Sequence, residues 1–248
     1  MIAGALRFEQ GSRTDVGCVR TVNEDACLAR ADAGLWAVAD GMGGHARGRW
    51  AATRIAASLD AALLPDALDP AVAAVHAALD RANAQIVRAG AAERRVIGST
   101  VAALVVRARR CVVLWAGDSR VYRLRDGALA PLTTDHSPVA QMVAAGLLSR
   151  AEAADHPMGH MLARAVGVQP ALALERRDAD VLPGDTFLLC SDGLTRMLDE
   201  TAIAALLQRE RPHRCADALV DLAVARGAAD NVTAVVVGCD ETTQVLAR

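Results

Sequence analysis

The sequence predicts a mixed fold, α/β or α+β, in one folded unit. Two observations carry this. Five short runs rich in β-branched and aromatic residues alternate with turn signals, and two neighbouring blocks of helical spacing lie between the first run and the second. With 248 residues and 53% hydrophobic content, the chain is long enough to bury a sizeable core as one domain.

The first strand-like run is Leu35-Trp36-Ala37-Val38-Ala39. The first helical block follows, with Ala52, Ile55, Ala56, Leu59 and Leu63 at three- and four-residue spacing until Pro65 stops the pattern. The second is expected to open with Asp69 as N-cap and Pro70 at the first helical position. It then puts Val72, Val75, Leu79, Ala82 and Ile86 on one face up to Gly90. A hairpin comes next, Val101 to Val106 with Cys111 to Ala116, turned at Arg107 to Arg110. Thr186 to Cys190 forms a fourth run. A helix from Arg214 to Arg226, with Ala218, Leu219 and Leu222 inward, ends at Gly227, and the last run is Val232 to Val237. No internal repeat and no long linker is evident.

Composition removes several function classes. The 27 Lys+Arg residues are all Arg, so nucleotide-binding P-loops, protein kinases and Schiff-base enzymes, each of which needs a lysine amine, do not fit. A net charge of −2 offers no electrostatic footprint for nucleic acid. The longest stretch without Asp, Glu or Arg, His136 to Ser149, is too short and too polar to span a bilayer, and the N-terminus lacks a signal-peptide pattern. Cys18, Cys27, Cys111, Cys190, Cys215 and Cys239 contain no C-x-x-C pair and read as buried, reduced thiols of a cytoplasmic protein.

The chemistry sits where the runs end. Leu35–Ala39 leads into Asp40-Gly41, Val112–Ala116 into Gly117-Asp118, Phe187–Cys190 into Ser191-Asp192-Gly193, and Asp230 precedes the last run. A buried strand delivers its terminal residue to a fixed place at the sheet edge, so these carboxylates are able to converge. Converging Asp40, Asp192 and Asp230 would repel one another unless a cation neutralised them, and an all-oxygen donor set selects Mg²⁺ or Mn²⁺ over Zn²⁺. Taken alone, each Asp-Gly is also an ordinary turn dipeptide. The stretch Arg20-Thr21-Val22-Asn23-Glu24-Asp25 adds a guanidinium able to fork onto phosphate oxygens and an acidic pair able to orient water; the alternative is a solvated salt-bridged loop.

In this order, the pieces resemble the metal-dependent type 2C protein serine/threonine phosphatases, the PPM family, in its compact bacterial form. The matching stretches are Thr14-Asp15-Val16-Gly17 leading to Arg20 and Asn23-Glu24-Asp25, Val38-Ala39-Asp40-Gly41-Met42-Gly43-Gly44-His45, and Gly98-Ser99-Thr100. They continue with Ala116-Gly117-Asp118-Ser119-Arg120, Leu132-Thr133, Asp135-His136-Ser137, Arg164-Ala165-Val166-Gly167, Cys190-Ser191-Asp192-Gly193-Leu194 and Asp230-Asn231-Val232-Thr233. The resemblance implies an α+β fold in four α/β/β/α layers: two mainly antiparallel sheets flanked by helices, one domain over 1–248 with its motifs between about 8 and 240.

It also implies a site. Asp40 would bridge two Mn²⁺ or Mg²⁺ ions, the Gly41 carbonyl would bind one, Asp192 and Asp230 would complete the other, and Asp118 would help hold a third, weaker ion. Glu24 and Asp25 would hold water in the outer shell, and Arg20 would clamp phosphate. The implied reaction is hydrolysis of phosphoserine and phosphothreonine on proteins by a hydroxide bridging the ions, with no cysteine nucleophile. The implied partners are phosphoprotein substrates and a Ser/Thr kinase whose work is reversed, with no nucleic acid and no membrane, and a monomer is expected.

Two departures stand out. Arg49-Trp50-Ala51-Ala52 replaces an acidic residue followed by small ones, and Met42 stands where some members carry a His, leaving His45 or water as proton donor to the leaving group. By the resemblance, residues 135 to about 161 would correspond to the family's mobile flap; there Ser149 and Glu152 fit a capping box, and His156 and His160 read as flap or surface residues rather than ligands. A non-catalytic phosphopeptide-binding relative, and a two-metal hydrolase of small phosphates, remain alternatives.

Overall fold

A computed structural model describes residues 6–44, 46–149, 152, 156–158 and 161–241. Its strands are β1 Leu6–Asp15, β2 Asp25–Arg30, β3 Leu35–Met42, β4 Gly98–Ser99, β5 Val101–Arg107, β6 Arg110–Ala116, β7 Arg120–Arg125, β8 Ala128–Pro131, β9 Glu175–Asp180, β10 Thr186–Cys190 and β11 Val232–Glu241. Its described helices are α1 Ala46–Asp60, α2 Leu68–Glu93, α3 Pro138–Ala144, α4 Asp192–Thr195, α5 Glu200–Arg209 and α6 Pro212–Ala225. One sheet runs β1-β11-β10-β7-β8, the other β2-β3-β5-β6-β9 with β4 paired to β3, and these pairings are antiparallel.

The apolar runs are continuous because both faces of the central strands are covered. Along β3, Trp36 and Val38 point into the space between the sheets, where they meet Phe187, Leu189, Val235 and Val237 of the other sheet. Leu35, Ala37 and Ala39 alternate to the opposite face and pack on Ile55 and Leu59 of α1 and Leu79 and Ile86 of α2. On the far side, Leu188, Cys190, Ala234 and Val236 pack beneath Ile203 of α5 and Leu219 of α6. The layers are therefore helix, sheet, sheet, helix, the α+β architecture that the resemblance implies.

Several boundaries differ from the sequence expectation. The first helix ends at Asp60, and Leu63 is 92% exposed because the chain has already left the helix toward Pro65. The second helix begins two residues before Pro70 with Ala67 as N-cap, so Asp69 is in its first turn, where its charge suits the macrodipole, rather than capping it. Gly90 is buried inside that helix, which closes at Arg94 in the left-handed region. The predicted hairpin is present with Arg107 paired to Arg110, and the last helix does stop before Gly227, at φ +85°. No helix among the described residues is long and apolar enough to cross a membrane. None of the six cysteines is in a disulfide; four are buried, Cys27 is half-buried, and Cys18 is exposed, contrary to its buried reading.

Candidate active site

Antiparallel pairing brings the functional stretches to one end of the sandwich. In one sheet the end of β3 lies beside the start of β2, with Asp25 opposite Asp40, and beside the start of β5, which in turn lies opposite the end of β6, Val101 against Ala116. In the other, the end of β10 lies beside the starts of β7 and β11, with Cys190 opposite Arg120 and Ala234. Asp118 sits in the turn from β6 to β7, Asp192 opens α4, and Asp230 lies in the loop before β11. Arg20, Glu24, Asp40, Gly41, Asp118, Asp192 and Asp230 accordingly share one cavity of about 740 Å³. Asp25 is buried behind it.

A hydrogen-bonded scaffold fixes these groups. Asp40 is held through its backbone: its N–H donates to Thr100 Oγ1 (3.0 Å), its carbonyl accepts from Thr100 N–H (2.8 Å), and Thr100 Oγ1 meets Ser119 Oγ (2.7 Å) beside Asp118. Asp25 Oδ2 accepts from Thr233 (2.6 Å) and Ser191 (2.8 Å). Asn231, only 4% exposed, ties the Arg20–Asp25 stretch to the Asp230 loop. Its side-chain NH₂ donates to the carbonyls of Val16 (2.9 Å) and Val22 (3.1 Å), and its Oδ1 accepts from Glu24 N–H (2.8 Å). Two glycines let these chains close up: at Gly17, φ +76°, a side chain would strike the Asp230 carbonyl, and at Gly193 the Asn231 carbonyl. Replacing Asn231 with Ala removes three hydrogen bonds to half-buried backbone groups and is expected to cost about 1–3 kcal/mol, read as a lower denaturant midpoint at unchanged m-value.

Electrostatics marks the cluster as short of positive charge. Burial pushes Asp25 up to about 7; its two hydroxyl hydrogen bonds oppose the rise, and the charges of Asp192 and Asp230 add to it. Asp118 also rises to about 7, through burial first and then Asp192 and Asp135. Asp40 is pushed well above the usual carboxylate range by burial and by Asp25, Asp192, Asp118 and Asp230. Burial raises the Cys190 thiol to about 12, so it is no nucleophile at neutral pH.

The predicted ligands share a cavity, yet they do not surround one point: among the described residues no three His, Cys, Asp or Glu side chains are close enough to cage an ion by themselves. Two guanidiniums occupy the carboxylates instead. Arg20 Nη2 is 2.9 Å from Asp230 Oδ2, and Arg196 contacts Asp192. Even so, the donor set suits a hard divalent ion. It is all oxygen, its acids carry the mutual repulsion a cation would relieve, and Asp25 Oδ1 is buried with no hydrogen-bond partner. Mg²⁺-type sites keep several water ligands, so few carboxylates need touch the ion directly.

Sequence reasoning missed several contributors. Arg196 carried no motif. His136, quoted but given no role, stacks on Trp115 and accepts from Gly117 N–H through Nδ1 (3.1 Å), steadying the turn that carries Asp118. Arg49 is accounted for: its Nε donates to the Asn23 carbonyl (2.8 Å), bracing the Arg20–Asp25 stretch, while Trp50 packs on the helix-side core. The capping box exists, with Glu152 Oε2 accepting from Ser149 N–H and Oγ (2.9 and 2.7 Å). His156 Nδ1 accepts from Met158 N–H (3.2 Å). His45 and His160 lie outside the described residues.

Residues 19–222 match the Protein phosphatase 2C family, and the chain belongs to it. Among curated relatives, the Mycobacterium tuberculosis serine/threonine protein phosphatase PstP is 37% identical over 238 residues, 93% of this chain but 45% of PstP, so the chain spans about half the length of that relative. Among solved structures, PppA, described as a key regulatory component of T6SS in Pseudomonas aeruginosa, is 38% identical with a TM-score of 0.89, covering 95% of this chain and 99% of its own. The catalytic domain of serine threonine protein phosphatase PstP in complex with two manganese ions is 33% identical with a TM-score of 0.83, covering 95% and 100%.

Proposed function

We propose that the chain is a Mn²⁺- or Mg²⁺-dependent phosphatase that hydrolyses phosphoserine and phosphothreonine on proteins and so reverses a Ser/Thr kinase. The observation that carries this reading is the sharing of one cavity by Asp40, Asp118, Asp192 and Asp230 with the guanidinium of Arg20. Asp40, the Gly41 carbonyl, Asp192 and Asp230 would hold two ions, and Asp118 a third, weaker one. Divalent ions held there supply charge neutralisation for the phosphoryl oxygens and water acidic enough to be deprotonated near neutral pH.

The chain's own residues do the rest. Arg20 presents a planar fork suited to two phosphoryl oxygens, and Asp230, its present partner, keeps it extended into the cavity. Asp25, fixed through one oxygen by Ser191 and Thr233, offers the other to orient water, and Glu24 stands beside it on the braced loop. Met42, Val96, Leu162 and Val168 line the cavity too, so the phosphorylated residue enters past an apolar wall.

A panel of substrates tests the reading: a phosphothreonine peptide, a phosphoserine peptide, a nucleoside monophosphate and an oligonucleotide, each with Mn²⁺. Turnover of the phosphopeptides at a kcat/KM at least about tenfold above the others is expected. Preference for the nucleotide would favour the small-phosphate hydrolase. Binding of phosphopeptide without turnover would favour the non-catalytic relative.

A further inference from the structure

Arg20 and Arg196 enter the same cavity, and only Arg20 has a role so far. Arg196 follows α4 directly; its backbone N–H donates to the Asp192 carbonyl (2.9 Å), and the four-residue spacing returns its guanidinium to the Asp192 carboxylate. Its side chain is 33% exposed and lines the cavity wall along with Arg20. The carboxylates around it do not gather round a single point.

We propose that Arg196 is a counter-ion shared between Asp192 and the substrate phosphate: a divalent ion that takes Asp192 displaces the guanidinium, which then turns to the phosphoryl oxygens. This rests on the part of the phosphatase reading that puts divalent ions and phosphate in this cavity, not on turnover, and adds a phosphate contact to it. The chemistry is competition. A guanidinium and a divalent ion seek the same carboxylate lone pairs, and the fork that fits a carboxylate fits a phosphate equally well. Loss of Arg196 therefore acts with opposite signs, removing a competitor of the metal and a partner of the phosphate. An arginine that only supported the fold would weaken both or neither.

Mn²⁺ is titrated calorimetrically into the metal-free wild type, Arg196→Gln and Arg196→Lys, and inorganic phosphate is then titrated into each Mn²⁺-loaded protein, with circular dichroism as the folding check. The Gln variant is expected to bind Mn²⁺ about fivefold to tenfold tighter and phosphate about fivefold to tenfold weaker. Arg196→Lys, which keeps the charge and loses the fork, is expected to bind Mn²⁺ like the wild type and phosphate with intermediate affinity. Unchanged or weaker Mn²⁺ binding by folded Arg196→Gln overturns the proposal, as does tighter Mn²⁺ binding with phosphate affinity intact. Should the Gln variant not fold, wild-type phosphate affinity in Arg196→Lys overturns it. Neither titration depends on turnover, so a wild type that binds Mn²⁺ and phosphate without cleaving phosphopeptide would defeat the phosphatase reading and leave this one standing.

Discussion

Asp40→Asn is expected to abolish metal-dependent turnover, by at least about 10³-fold or roughly 4 kcal/mol, while making the metal-free protein more stable. Asp40 lies opposite Asp25 across the β2–β3 pair and feels four other carboxylates, none of which attracts it. Asparagine is nearly isosteric and leaves both backbone hydrogen bonds to Thr100 in place. It removes a half-buried carboxyl group whose ionisation the neighbouring carboxylates oppose. The gain in melting temperature is to be measured in EDTA, and the loss of turnover in Mn²⁺. A variant less stable than wild type in EDTA would mean that Asp40 is not under net repulsion, contrary to its environment.

The second large effect is a reversal in the pH dependence of stability. Asp25 and Asp118 titrate near 7 in the metal-free fold against an ordinary value of 3.8, and Asp40 is raised as well. Between about pH 4 and pH 7 the folded protein therefore holds protons that the unfolded chain has lost. Stability contributed by these groups is present below the unfolded pKa and falls as pH rises through the folded values, on the order of a few kcal/mol for the cluster. A bound divalent ion keeps the carboxylates ionised, so the same groups then favour the folded state increasingly as pH rises. Melting curves from pH 4.5 to pH 7.5 are expected to separate steadily, the Mn²⁺ series gaining on the EDTA series. Parallel series would contradict this.

What the sequence made legible depended on local signals. Asp40, Asp118 and Asp192 end apolar runs beside glycine, and each does stand at the same end of the sandwich. Asn231 stands in the sequence directly after Asp230 within a matching stretch, and it ties the Asp230 loop to the Arg20–Asp25 stretch with three hydrogen bonds. Missed residues were those whose roles exist only once strands distant in sequence come together. Ser191 and Thr233 reach Asp25 across 166 and 208 residues, and Thr100 reaches Asp40 across 60. Arg196 lacks any signal besides its spacing from Asp192. The overlooked strands are largely edges: β9, Glu-Arg-Arg-Asp-Ala-Asp, carries charge on nearly every residue, which protects an edge and erases the alternation that identifies a strand. Leu63 illustrates the opposite error, an apolar residue at helical spacing that lies past the helix end.

The chemistry proposed for the chain stands on the carboxylate cavity holding divalent ions that turn over a phosphomonoester. The most direct measurement is hydrolysis of a phosphothreonine peptide by the purified protein in EDTA, Mg²⁺ and Mn²⁺, with Asp192→Ala matched for folding. Turnover in at least one metal, none in EDTA and none in the variant is the result predicted. Equal turnover with and without metal, or undiminished turnover in Asp192→Ala, would contradict it.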